Sequence, residues 1–252
     1  MSNDDEPSAV ALVGTTGGAG TTRCAVETAA ALAADGRDVT VLDAAFATQG
    51  LADHVAGALD PDLTALLTDE ADAPLAEGLV ELEVDAPGTV ACCPADAPFE
   101  RLARAKSADA ARRFEARIEE AAEAYDHVVV DVPPVAANQA VAAVDACDRV
   151  CLVAPGTTRG ADAVQRMRGR LTDLGAETDL VVSTRGELRT ADASVPESDA
   201  TEPADCPSCL GGDDDSFVAG VGRLAAAAFE TELDDAVAGD GLLESVGRYV
   251  RR

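Results

Sequence analysis

Gly17, Gly18 and Gly20 fall in one short stretch, VGTTGGAGTTR (Val13–Arg23), between an apolar run and an alanine-rich run. Glycines in that position let a backbone approach a ligand closely and turn its N–H groups inward. The helix that follows adds the positive end of its dipole. The chemistry this arrangement suits is the holding of an anion, a phosphate above all. The plain alternative is a tight strand–helix turn whose glycines serve geometry alone. A P-loop requires G-x-x-x-x-G-K-[ST]. Here Gly20 and Thr22 occupy the last glycine and the Ser/Thr position, whereas Thr15 stands at the first glycine and Thr21 at the lysine. A neutral Thr21 forgoes a charge-assisted hydrogen bond of about 1.5–3 kcal/mol, so phosphate affinity is expected to fall about tenfold to a hundredfold. Arg23 cannot substitute, because two residues further along a helix it points to a different face.

The second chemical signal is Cys206-Pro-Ser-Cys209. A metal site needs about four ligands, and one CxxC supplies two. Zinc or an iron–sulfur cluster would need Cys92 and Cys93 from the same chain, or the matching pair of a second copy. Two reduced thiols on a solvated loop are the other reading. Cys24, Cys147 and Cys151 fall at core-facing positions and read as small apolar fillers. His127 enters a strand and His54 a helix-like segment; both read as structural.

The elements that must position these residues follow from apolar periodicity. Ala9–Val13, Val39–Leu42, Val128–Val130, Val150–Val153 and Leu180–Val182 are short, β-branched and near-continuously apolar, as suits parallel strands covered on both faces. Thr89–Cys93 and Leu224–Phe229 are weaker strand candidates. Thr22–Ala34, Phe99–Tyr125, Asn138–Cys147 and Gly160–Leu174 carry period-3.6 apolar positions and predict helices. The alternation implies βαβ units and an α/β fold with a doubly wound, mostly parallel sheet. Two acidic stretches break the rhythm. Leu51–Pro87 predicts a short helix around Leu63–Leu67, and Arg185–Ser216 reads as a long loop insertion bearing the CxxC and the run Asp213–Asp215. The chain reads as one domain over residues 1–252, with residues 1–7 disordered.

Charge narrows the function classes. With 252 residues, 19 basic and 47 acidic, the net charge is −28, and Lys106 is the only lysine. Such a surface repels itself and needs screening, whose length shortens to about 3 Å at molar salt. This composition resembles the cytosolic proteins of salt-accumulating archaea. Direct nucleic-acid binding is not expected, since no basic stripe exists. The N-terminal residues lack the basic flank and apolar core of a signal peptide, and no apolar run reaches membrane-span length, so a cytoplasmic location is expected.

The glycine-rich stretch resembles that of the MinD/ParA group of deviant P-loop ATPases, whose loop reads K-G-G-x-G-K-T-T. The same frame here is Thr16-Gly17-Gly18-Ala19-Gly20-Thr21-Thr22-Arg23. VTVLDAAFATQGLADHV is similar to the family's second strand and first switch, with Asp43 at its first aspartate. YDHVVVDVPP is similar to D-Y-V-I-I-D-x-P-P, with Asp131 at the Walker-B-like strand end. CDRVCLVAPGTTRGADAV and GLLESVGRYV resemble later elements, so the likeness runs in order across roughly Ser8–Ser183. The resemblance implies a P-loop NTPase fold and binding of ATP or ADP with Mg²⁺. Gly17, Gly18, Ala19, Gly20 and Thr21 would surround the phosphates, Thr22 would reach Mg²⁺, and Asp43 and Asp131 would hold metal-bound water. It also implies a homodimer or a protein partner.

The departures fall where the family does chemistry. Both loop lysines are threonine (Thr16, Thr21), the second switch aspartate is Ala45, and the adenine-reading asparagine falls on Ser183. Little or no hydrolysis is therefore expected. An active ATPase would need a cation supplied in trans. The Mrp/NBP-type relatives carry C-P-x-C and bridge an iron–sulfur cluster between subunits, which implies Cys206 and Cys209 as metal ligands. The MinD branch carries a basic amphipathic tail; here Leu242–Arg252 has that pattern, and packing on the sheet is its commoner fate, with membrane contact the alternative.

Overall fold

The computed structural model describes residues 8–211 and 215–233. Its strands are β1 (Ala9–Gly14), β2 (Val39–Asp43), β3 (Val80–Leu82), β4 (Val90–Cys93), β5 (His127–Val132), β6 (Arg149–Pro155), β7 (Leu180–Thr184) and β8 (Ala193–Val195). They form one sheet in the order β3-β4-β2-β5-β1-β6-β7-β8. Every pairing is parallel except β3 on β4. The helices are α1 (Thr21–Ala34), α2 (Leu63–Leu67), α3 (Phe99–Ala105), α4 (Ala108–Ala124), α5 (Asn138–Ala146), α6 (Thr158–Leu174) and α7 (Asp215–Phe229).

Continuous apolar strands are required because both faces are buried. On β1, Ala9, Ala11 and Val13 face a core shared with α4, α5 and α6, while Val10 and Leu12 face one shared with α1 and α7. The strand period of two thus feeds two separate cores from one sequence run. All the residues of β1, β2 and β5 are buried. Their carboxyl ends converge on the turn before α1, where an open parallel sheet places its ligand crevice.

Several sequence expectations change. The predicted helix over Phe99–Tyr125 is two helices, since Ser107 accepts from the Ala110 amide and caps a fresh helix, α4. The candidate strand Leu224–Phe229 is the last half of α7; Phe217, Val221, Leu224, Ala225 and Ala228 recur at helical spacing and are buried against α1 and β8. Alanine-rich sequence with that spacing favours helix over strand. The stretch 185–216 is not structureless. It contains β8, a 3₁₀ turn over Pro203–Asp205 and the start of α7. Strand β3, within the acidic stretch, has one buried residue in three and gave no clear periodic signal. Residues 1–7, Asp213, Asp214 and Leu242–Arg252, on which a disordered start, an acidic run and an amphipathic tail were expected, lie outside the described residues.

Candidate nucleotide site

The turn between β1 and α1 is fastened at both ends. Thr15 donates its amide (2.9 Å) and hydroxyl (3.0 Å) to the Val153 carbonyl of β6. Thr184 Oγ1, at the end of β7, donates to the Ala19 carbonyl at 2.7 Å, and Arg185 Nη2 donates to the Gly18 carbonyl. Gly18 (φ 70°) and Gly20 (φ 87°) adopt left-handed backbone, which favours glycine at both positions. Gly20 is the N-cap of α1 and offers no side chain to its first turn. Among the described residues the amides of Gly17, Gly18, Gly20, Thr21 and Thr22 find no hydrogen-bond acceptor. Carbonyls held outward and amides left unpaired at the start of a 14-residue helix make an anion cradle. Thr21 folds its hydroxyl back over β1: a Cβ built on Gly14 would lie 2.6 Å from Thr21 Oγ1.

Beside the cradle stands an acidic pair. Thr22 Oγ1 donates to Asp131 Oδ2 at 2.6 Å, and Asp131 is register-paired with Asp43 on the neighbouring strand. Asp43 accepts from the Ala45 amide (2.7 Å) and the Ala95 amide (3.2 Å). Both carboxyls are buried. Burial raises the Asp43 pKa, and the Asp131 charge beside it raises it further. Burial also raises Asp131, with the Thr22 hydrogen bond opposing. Two carboxyls with the Thr22 hydroxyl bonded to one of them form a hard-oxygen set that suits Mg²⁺. That ion is held by one or two carboxylates together with water and phosphate oxygens. The residues present therefore fit a Mg²⁺–phosphate group, which Thr22, Asp43 and Asp131 would hold.

A cavity of about 230 Å³ adjoins the cradle, lined by Gly20, Cys24, Thr184, Arg185, Pro196 and Phe217 among others. Part of its wall comes from Pro196, Ser198, Ala200 and Thr201, upstream of the CxxC segment, and that segment is not a solvated loop. Cys206 and Cys209 are 9% and 8% exposed. The segment is clasped to α1 by Glu27, whose carboxylate accepts from the Ser208 and Cys209 amides, each at 2.9 Å, and from Arg23 Nε at 2.6 Å. Arg23 also donates to Ser198, Ala200 and Ser208, so it does point away from the phosphate loop. Burial, and then Glu27, pushes the Cys209 thiol well above its usual range. Cys92 and Cys93 lie on β4, whereas the CxxC segment is bonded to α1, and both are buried with raised pKa. Among the described residues no cluster of three or more His, Cys, Asp or Glu side chains is placed to hold a metal ion. Within one chain the described residues therefore give Cys206 and Cys209 no further metal ligands.

The architecture around this site matches known structures. A chain of the MinC:MinD cell division protein complex of Aquifex aeolicus superposes with a TM-score of 0.70 at 17% identity, over 90% of this chain and 97% of that one. A ParA family ATPase from Chlorobium tepidum gives 0.66 at 15% identity, over 93% and 99%. The chain has the MinD/ParA fold. The septum site-determining protein MinD of Pyrococcus horikoshii, complexed with Mg-ADP, gives 0.63 at 19% identity over 75% of this chain and 81% of that one. No protein-family model and no curated protein matches the chain. At these identities the likeness is one of fold.

Within the MinD/ParA fold, Gly17, Gly18, Ala19, Gly20, Thr21 and Thr22 occupy the strand–helix turn, and Asp43 and Asp131 end adjacent strands beside it. Cys206 and Cys209 stand apart from that group, on the far side of Arg23 and Glu27. Ser183 is fully buried. Sequence reasoning missed Thr184, Arg185 and Glu27. Glu27 carried a readable signal, standing four residues after Arg23 on a helix. Arg185 carried the plain signal of a cation directly after a strand end. Cys24 and Cys151 are buried as expected, whereas Cys147 is partly exposed and packs at the margin of the core. His127 lies on β5 against the Phe229 ring. Among the described residues no helix is long and apolar enough to cross a membrane.

Proposed function

We propose that this protein is a MinD/ParA-like nucleotide-binding switch that takes up Mg-ATP or Mg-ADP weakly, hydrolyses it little or not at all, and acts in the cytoplasm through a second copy or a protein partner. The observation that carries this reading is the joint placement of unpaired loop amides, Thr22 and the Asp43–Asp131 pair at the carboxyl end of the sheet. The solved MinD structure with Mg-ADP supports the ligand class, and the MinC:MinD complex supports a protein partner. The departures support weak chemistry. Thr16 and Thr21 bring no charge, and Ala45, whose amide is engaged by Asp43, has no side-chain group to orient water.

When bound, Mg²⁺ supplies charge neutralisation across the phosphate oxygens. The chain's own share is to present amides to the phosphates, to position Thr22 and to keep both carboxyls dry. The test is equilibrium binding of labelled ATP and ADP with Mg²⁺ in molar KCl, alongside phosphate release. Binding that disappears in Asp131→Ala, with negligible turnover, is the expected result. Turnover comparable with lysine-bearing P-loop ATPases would refute the inactive reading, and absence of binding to either nucleotide would refute the site.

A further inference from the structure

Arg185 is the cation closest to the glycine-rich loop that is not already committed to an acid. Its guanidinium donates only to a neutral carbonyl, that of Gly18. Among the described residues it has no carboxylate partner, in a chain where acidic residues outnumber basic ones 47 to 19. Arg23, which lines the same cavity, is by contrast neutralised by Glu27 at 2.6 Å.

The backbone presents Arg185 from a fixed point. Its φ is 51°, an uncommon conformation for a residue with a side chain. Its amide donates to the Val195 carbonyl at 3.1 Å, and the next residue, Gly186 (φ 136°), packs so closely on Gly156 that a Cβ on Gly156 would lie 2.1 Å from the Gly186 carbonyl carbon. Strand end, turn and loop are thereby locked together, and a left-handed non-glycine residue held this way is a reasonable sign of function.

We propose that Arg185 supplies, from the end of β7, the positive charge that Thr16 and Thr21 leave out of the loop, by pairing with the phosphate chain of a nucleoside di- or triphosphate. This rests on the nucleotide reading above. The chemistry favours the exchange of partner: an arginine–phosphate pair joins opposite charges and is frequently two-pronged, whereas the Gly18 carbonyl is a single neutral acceptor. Arg185 also borders the cavity beside Gly20, so one side chain reaches both the cradle and the space next to it. The Gly18 carbonyl holds the guanidinium at the loop until phosphate arrives.

The experiment is calorimetric titration of the full chain with Mg-ATP, Mg-ADP and adenosine in molar KCl, for the parent protein, Arg185→Ala and Arg185→Gln. Glutamine keeps a donor for the Gly18 carbonyl but no charge. Both variants are expected to bind ADP and ATP about tenfold or more weakly, with adenosine binding unchanged. Wild-type ADP affinity in both variants would overturn the proposal while leaving the nucleotide site standing. An equal loss for adenosine and ADP would also overturn it, because Arg185 would then be shaping the cavity. A parent protein that binds none of the three ligands would instead remove the nucleotide reading itself, and this inference with it.

Discussion

Replacing Glu27 by alanine should cost more than any other single change on α1. The carboxylate is 1% exposed and gathers four donors at hydrogen-bond distance: Arg23 Nε, the Ser208 amide and hydroxyl, and the Cys209 amide. Bonds to a charged acceptor contribute about 1.5–3 kcal/mol each, but they are not independent, and Arg23 is part-exposed and keeps its bonds to Ser198, Ala200 and Ser208. Breaking a buried pair by removing one partner costs about 3–5 kcal/mol. Against a typical domain stability of about 5–15 kcal/mol, that is a large share. The loss should be local first, since the CxxC segment would lose its clasp while β8 stays paired to β7. Urea unfolding in high KCl, with parallel labelling of Cys206 and Cys209 by a thiol reagent, reads both effects. Faster labelling together with a midpoint lowered by several kcal/mol equivalents is expected. Unchanged labelling and an unchanged midpoint would show that Glu27 does not hold this segment.

Thr21→Lys should tighten Mg-ADP binding about tenfold to a hundredfold, read by calorimetry; an unchanged affinity would show that the loop is not a phosphate site. The melting temperature should climb steeply from dilute buffer to molar KCl, because a charge of −28 repels itself and salt screens it; a flat profile would refute the repulsion argument. The folded-state pKa values of Asp43 and Asp131 lie above the ordinary 3.8, so the stability these groups contribute is full below that value and drains away as pH rises through their folded values. Asp131→Asn removes one of the two, so without Mg²⁺ its melting temperature relative to the parent should improve between about pH 5 and about pH 8; a constant difference would refute the burial argument.

The sheet was largely legible because strands covered on both faces must be nearly continuous in apolar residues, and β1, β2, β5, β6 and β7 each carry such a run. Elements at the edges were not. β3 and β8 are three residues long, and their pairing is decided by the neighbour they meet rather than by their own pattern. Leu224–Phe229 misled because a short apolar run does not tell strand from buried helix. At the site, the turn and the aspartates were visible as motifs along the chain. The clasp between Glu27 and the amides of Ser208 and Cys209 spans some 180 residues, and no local spacing reveals an acceptor for backbone donors that distant.

What the site retains and what it lacks sort by physical role. Backbone amides, Thr22, Asp43 and Asp131 are groups that bind an anion and a hard cation in the ground state. Under the proposed function, Thr16, Thr21 and Ala45 stand where charge developing during phosphoryl transfer would be stabilised and water oriented. A switch that cannot reset itself by hydrolysis must reset by release, and weak binding makes release fast. With an association rate of about 10⁶ M⁻¹s⁻¹ and a dissociation constant of about 10 μM, nucleotide would leave at about 10 per second. Under the proposed function, occupancy then follows nucleotide concentration directly. A partner that favours the loaded form would lengthen that lifetime only by its differential affinity for the two states.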